Sequence, residues 1–127
     1  MPYYHKRKIL LPFEEAVEKT KSVLTNEGFG IMSEIDVKAV MHKKLNQEFG
    51  KYVILGACHA PSAHKALMAE KDIGLLMPCN VVVYEDDGMT YVAAVRPTVT
   101  MQIVGNPKLA SIGAVVEAKL KKVVDSV

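Results

Sequence analysis

The chain has 127 residues, of which 50% are apolar and 24% are charged, and its formal net charge is +2. This length suits one domain with a real core, and the composition excludes a disordered or fibrous chain. The charge is too small, and the basic residues too scattered, to predict a nucleic-acid-binding protein. The short basic clusters at residues 6–8 and 119–122 are interpreted as solvated faces.

The sequence predicts a cytoplasmic protein that does not bind membranes. No apolar run approaches the roughly 20 residues that a membrane span needs. The basic start is followed by only three apolar residues, 9–11, before Pro12, so no secretory signal is expected. In the cytoplasm, two cysteines in a chain of this size are expected to be reduced thiols and not a disulfide.

The first half of the chain alternates strands and helices. Residues 3–11 are predicted as a strand that Pro12 ends, and apolar residues then recur at helical spacing until Gly28 stops the helix. The alternation from residue 29 onwards predicts a half-buried strand. This strand passes into a second helix near Asp36, which is suited to cap it.

The second half begins with a continuous apolar run, 52–57, which predicts a central strand covered on both faces. Pro61 and Ser62 start a short helix. Two β-rich runs, 81–85 and 89–95, flank an Asp-Gly pair and predict a hairpin. Residues 98–106 fit either a short helix or a connector. The last helix is predicted to start at Asn106-Pro107.

The predicted order of elements is therefore β-α-β-α-β-α-β-β-α. Such an order is typical of an α+β fold, with helices packed on a mostly antiparallel sheet. No linker or internal repeat divides the chain, so residues 1–127 are predicted to form a single domain.

Two segments of the chain resemble a known family. Gly56-Ala57-Cys58 with the nearby Pro61 and Ala63, and residues 74–85 with Gly88, resemble the signature of the DUF302 domain, an uncharacterised bacterial and archaeal family. The segment Pro78-Cys79-Asn80-Val81 is the most specific part, and the similarity extends over nearly the whole chain. The resemblance implies a small α+β domain that associates as a homodimer and has no established activity.

The two cysteines lie where the backbone pattern breaks. Cys58 ends one predicted strand and Cys79 begins another, and the helix between them provides a crossover that would bring both sulfurs to one edge of the sheet. We therefore expect a small molecule to bind near Cys58, His59, Pro78, Cys79 and Asn80. The sequence names no cofactor.

Three other interpretations of these residues stay open. The first is a thiol-dependent redox or transfer enzyme that uses Cys58 or Cys79 as its nucleophile, with His59 or His64 favouring the thiolate. The second is a structural or partner-binding module with both cysteines buried in the core. The third is a metal site made of Cys58, His59, His64 and Cys79. It is the weakest, because the spacing is irregular and adjacent side chains in an extended segment point apart.

Two further groups of charged residues have simpler explanations. Glu85, Asp86 and Asp87 precede a glycine and are interpreted as solvated turn residues. Arg96, at the end of the hairpin, is suited to an anionic ligand, a salt bridge or a dimer contact.

Overall fold

Five antiparallel strands form one sheet in the computed structural model, which describes residues 2–127. The strands are β1 (Tyr4–Ile9), β2 (Gly30–Asp36), β3 (Tyr52–Cys58), β4 (Cys79–Asp86) and β5 (Met89–Val95). They lie in the order β1-β5-β4-β3-β2, and each strand is antiparallel to its neighbours. The predicted hairpin is confirmed as β4 and β5, and Asp87 and Gly88 at its turn both have positive φ, as a type I′ turn requires.

The described residues also form five α-helices: α1 (Phe13–Asn26), α2 (Val37–Leu45), α3 (Ala60–Ala69), α4 (Pro97–Thr100) and α5 (Leu109–Ser126). Two 3₁₀ helices, Lys71–Leu76 and Met101–Val104, complete the fold, which is α+β as predicted. Asp36 caps α2 by accepting a hydrogen bond from the amide of Ala39 at 3.0 Å, as its position predicts. The last helix starts later than predicted because the Asn106 side chain first closes a turn with the amide of Lys108.

Among residues 2–127, none of the helices combines the length and the apolar composition that a bilayer crossing requires.

The core lies on one side of the sheet, which we call the helix-covered face because α1 and α5 pack against it. Alternate residues of each strand point to opposite faces. On the helix-covered face, the inner strands contribute Leu55, Val81, Val83 and Val92, all fully buried. They pack with buried residues from both helices, including Leu24, Leu120 and Val123. The sheet therefore has a single buried face.

We call the other side of the sheet the open face. The expectation that β3 is covered on both faces is wrong, since Tyr52 and Ile54 are only half-buried. β2 is also less buried than its alternation predicts, because it is an edge strand with a bulge between Ile31 and Ser33. Antiparallel sheets commonly leave one face in solvent, and an apolar run alone does not reveal this.

Gly56 of β3 lies on the open face, where β2 and the segment around Pro78 approach it so closely that a side chain does not fit. A Cβ atom at this position would collide with the side chain of Ser33 on β2 and would lie 2.8 Å from Cγ of Pro78. The Ser33 side chain can rotate away, but the Pro78 ring is fixed to its backbone. The Met77-Pro78 peptide is cis. The absent side chain of Gly56 thus allows Pro78 to lie over β3.

We expect Gly56→Ala to lower the free energy of unfolding by about 1–3 kcal/mol, because the added methyl group forces Pro78 to move. Urea unfolding measures this loss. The matched control is Gly74→Ala, since a Cβ there meets no atom within 4 Å. Its effect is expected to stay within about 0.5 kcal/mol. Equal effects of the two substitutions would contradict this role of Gly56.

Candidate functional site

Four of the residues predicted to bind a ligand line one cavity on the helix-covered side of the sheet. They are Cys58, His59, Pro78 and Cys79. The cavity has a volume of about 30 Å³. It is bounded by the end of β3, the start of β4 and helices α3 and α5. We call it the cysteine cavity.

Local sequence explains why these elements meet. The antiparallel register pairs Ala57 of β3 with Cys79 of β4, so the end of one strand lies beside the start of the next. Helix α3 begins directly after β3, with Pro61 in its first turn. The side chains of Ile112 and Val116 close the cavity from α5.

The expectation that the crossover brings both sulfurs together is wrong, because the two cysteines are free thiols that form no disulfide and do not lie close to each other, although both line the cavity. Cys79 packs against the core, while Cys58 is half-buried and has no partner on β4 in the register. Burial, with a smaller contribution from Cys58, raises the pKa of the Cys79 thiol from an ordinary 9.0 to about 11. Cys79 is therefore a protonated, weakly nucleophilic thiol at neutral pH.

His59 is held at the N-terminus of α3 by its neighbours. Its Nδ1 lies 2.7 Å from Oγ of Ser62, which is itself buried. Its ring also lies against Phe29, with centroids 5.7 Å apart. Burial lowers the pKa of His59, and the charges of Lys119 and Lys65 lower it further. A neutral imidazole cannot stabilise a thiolate by charge, which removes the main support for an activated cysteine.

Asn80 and His64 do not join the other predicted residues in the cysteine cavity. Cys79 faces the helices, so Asn80, the next residue of the strand, points to the open face. It borders a groove of about 260 Å³ that shares Met77, Pro78, Cys79 and Met101 with the cavity. His64 is exposed on α3. The predicted ligand site is therefore divided between a cavity and an adjoining groove.

The structure does not gather a metal site from these residues. Between residues 2 and 127, no three His, Cys, Asp or Glu side chains are placed to hold one ion. Cys58, His59 and Cys79 border the same cavity, but they do not converge on one point, and His64 lies outside it.

Other charged residues singled out from the sequence have structural roles. Arg96 donates from Nε to Glu117 at 3.2 Å and also to the carbonyl of Pro2. The same glutamate accepts the amide of Thr98, which fixes the start of α4. Of the three alternatives for Arg96, the structure contains the salt bridge.

Sequence reasoning identified four of the twelve residues that line the cavity, and two of the eight that it missed, Ser62 and Met101, show why. Ser62 was recognised only as part of a helix start, although its spacing of three from His59 is the signal for a contact across the first turn. Met101 comes from the segment whose structure the sequence left ambiguous, and no local pattern indicates that it reaches the cavity.

We expect Cys79 to react slowly with iodoacetamide at pH 8. The Cys58→Ser variant isolates it, and a rise of two pKa units leaves about one hundredth of the usual thiolate. Alkylation should accordingly be about 100-fold slower in the folded protein than in the same variant unfolded in urea. Equal rates in the two states would show that burial does not protect this thiol.

Comparison with known proteins gives a family and a fold. The family described as "Domain of unknown function DUF302" matches residues 5–127. A solved structure titled "Crystal structure of uncharacterized conserved protein DUF302 from Bacillus stearothermophilus" is similar, with a TM-score of 0.93 and 26% sequence identity over 99% of this chain and 98% of that chain. No curated protein matches. This match over nearly the whole chain places the protein in the DUF302 family.

Proposed function

We propose that this domain binds a small, largely apolar molecule at the cysteine cavity and the adjoining groove. The observation that carries the proposal is that the cavity and the groove share one wall, formed by Met77, Pro78, Cys79 and Met101. A ligand that lies in the groove can therefore reach Cys58 and His59 if this wall moves.

The chemistry of the lining supports an apolar ligand. The cavity wall contains Ala63, Ala66 and Val116, and its polar groups are few. A neutral His59, bonded to Ser62, offers one hydrogen-bonding pair at the cavity edge. Apolar pockets with a small number of placed polar groups are typical of small-molecule sites.

The size of the two spaces indicates how the ligand enters. A cavity of about 30 Å³ has room for about one or two water molecules, whereas the groove of about 260 Å³ holds a larger molecule. Met77 and Met101 lie between them. Methionine side chains are unbranched and change rotamer readily, so they are suited to admit part of a ligand from the groove into the cavity.

A thiol-dependent enzyme remains the second candidate, restricted to Cys58. Cys79 is too buried, and its pKa too high, to act as a nucleophile at neutral pH. Cys58 is only half-buried at the end of β3, and α3 follows directly. Two free thiols also accord with the cytoplasm, where cysteines are kept reduced, and we propose that location for the protein.

Xenon is a suitable probe for the cavity because it binds apolar spaces without needing a specific partner. We expect dissolved xenon to shift the amide resonances of Cys58, Ser62 and Cys79, and with them the methyl resonances of Met77 and Met101. Two-dimensional NMR of labelled protein measures these shifts.

The matched variants are two substitutions in the same helix. Ala63→Leu fills the cavity wall and should abolish the shifts, whereas Ala60→Leu, at an exposed position of α3, should leave them unchanged. Ala63→Val is a milder filler, and unfolding midpoints verify that each variant folds. The proposed site would be refuted if xenon shifted no resonances of the cavity residues in the wild type, or if the same shifts persisted in Ala63→Leu.

We also propose that the chain forms a homodimer through β2 and α2. In residues 30–50 no side chain is buried. This segment exposes large apolar residues, among them Met32, Ile35, Val40, Leu45 and Phe49. It has three acidic residues (Glu34, Asp36, Glu48) and three lysines (Lys38, Lys43, Lys44), so its formal charges balance. A surface that pairs with its own copy needs such mixed charge, and β2 offers a free sheet edge.

Leu45→Glu is expected to convert the dimer to a monomer, because it introduces a charge into the apolar surface that the second copy would cover. The side chain of Leu45 is 63% exposed, so the fold should tolerate the change. Sedimentation at several concentrations measures the mass. The matched control is Leu10→Glu, at a leucine that is 94% exposed outside this segment, and it should leave the dimer intact. A wild-type protein that sediments as a monomer would rule out the proposed dimer.

A further inference from the structure

The open face of the sheet contains a second and larger concave surface, which we call the tyrosine groove. Its volume is about 510 Å³, within the range of small-molecule sites. Its lining includes Tyr4, Lys6, Tyr52, Val82, Tyr84 and Ala93. It lies on the opposite side of β4 from the cysteine cavity.

The strand register explains the shape of the groove. Val82 pairs with Ala93, so two small side chains lie together at its floor. Two residues further along β4, on the same face, Tyr84 pairs with Tyr52 on β3 and with Tyr91 on β5. The three rings form a ladder across the strands. Their centroids are 5.2 and 5.4 Å apart. The large tyrosine side chains therefore form the wall at one end of the groove, and the small side chains of Val82 and Ala93 form its floor.

Lys6 supplies a positive charge at the wall of this groove. Its Nζ donates to the hydroxyl of Tyr84 at 3.3 Å and lies 5.2 Å from the ring centroid of Tyr4 and 5.5 Å from that of Tyr91. Within residues 2–127, no carboxylate forms a salt bridge with it. The tyrosines thus hold a lysine that has no anionic partner.

We propose that the tyrosine groove binds a planar aromatic molecule that carries one anionic group. The ring would lie on Val82 and Ala93 with its edges toward the tyrosine rings, an arrangement that aromatic groups favour. Its anionic group would pair with Lys6, and the amide of Asn80, which also lines the groove, is available for a hydrogen bond.

The number of charges on this face favours a small molecule over a nucleic acid. By strand alternation, Lys6 and Lys8 are the only basic strand residues on the open face in the described part of the chain, residues 2–127. Nucleic-acid sites need a series of cations that follow the phosphates, and their aromatic rings present free faces to the bases. Here the middle ring of the ladder, Tyr84, is stacked on both faces by its neighbours.

The test compares 2-naphthoate with the uncharged 2-naphthamide, which has the same ring system. Titration followed by NMR should shift the resonances of Val82 and Ala93 with both compounds. The naphthoate should bind about fivefold to tenfold more tightly, because a charged group strengthens the hydrogen bond to Lys6. Lys6→Gln should remove this difference, whereas Lys8→Gln, next along the same face of β1, should retain it.

A second variant tests whether the two compounds bind in the tyrosine groove, independently of the charge on Lys6. Ala93→Leu fills the floor and should weaken both compounds while leaving xenon binding at the cysteine cavity unchanged. Either of two results would overturn the proposal: equal binding of the two compounds to the wild type, or no binding of either compound to the wild type. Neither result affects the cysteine cavity, so the two proposals stand or fall separately.

Discussion

The alternation of side chains along β4 is the constraint on which every surface of this protein depends. Cys79, Val81 and Val83 point toward the helices, while Asn80, Val82 and Tyr84 point to the open face. Because the inward residues pack with α1 and α5 in the only large core cluster of residues 2–127, a shift of one residue would expose the core. The same register fixes a thiol on one side of the strand and the adjoining amide on the other. The cysteine cavity and the tyrosine groove lie on opposite faces because of the alternation along this one strand.

The cysteine cavity exists where this packing thins out at the ends of the strands. In the middle of the sheet, β-branched and leucine side chains from strands and helices pack together in the core. At the end of β3 the inward residue is Ala57, and the facing positions of α3 are Ser62, Ala63 and Ala66, all small. Small side chains let the helix approach but do not fill the space completely, and the unbranched Met77 and Met101 border what is left.

Much of this arrangement could be predicted from periodicity and turn chemistry, which are local. The helix from Phe13, the cap at Asp36 and the Asp87-Gly88 hairpin each depend on residues close in sequence, and each is confirmed. Coverage of a strand is not local, so the apolar run of β3 did not reveal that Tyr52 and Ile54 face away from the helices. The strand ends predicted that Cys58 and Cys79 lie together, but the register pairs Cys79 with Ala57 and the two cysteines are not close. That Asn80 points away from the cysteine cavity can be seen only from the strand register. That Met101 lines the cavity depends on tertiary packing alone.

The two edges of the sheet differ in a way that makes the proposed ligand site on the open face compatible with the proposed dimer. β1 is an edge strand with Lys6, Arg7 and Lys8 in succession, and lysines on an edge oppose pairing with another sheet. β2, at the other edge, has no lysine or arginine, and its bulge lies near its start, which leaves Ser33–Asp36 regular. Pairing at β2 would leave β1 free at the far side of the sheet. Lys6 then keeps the position in which the tyrosines hold it, open to an anion.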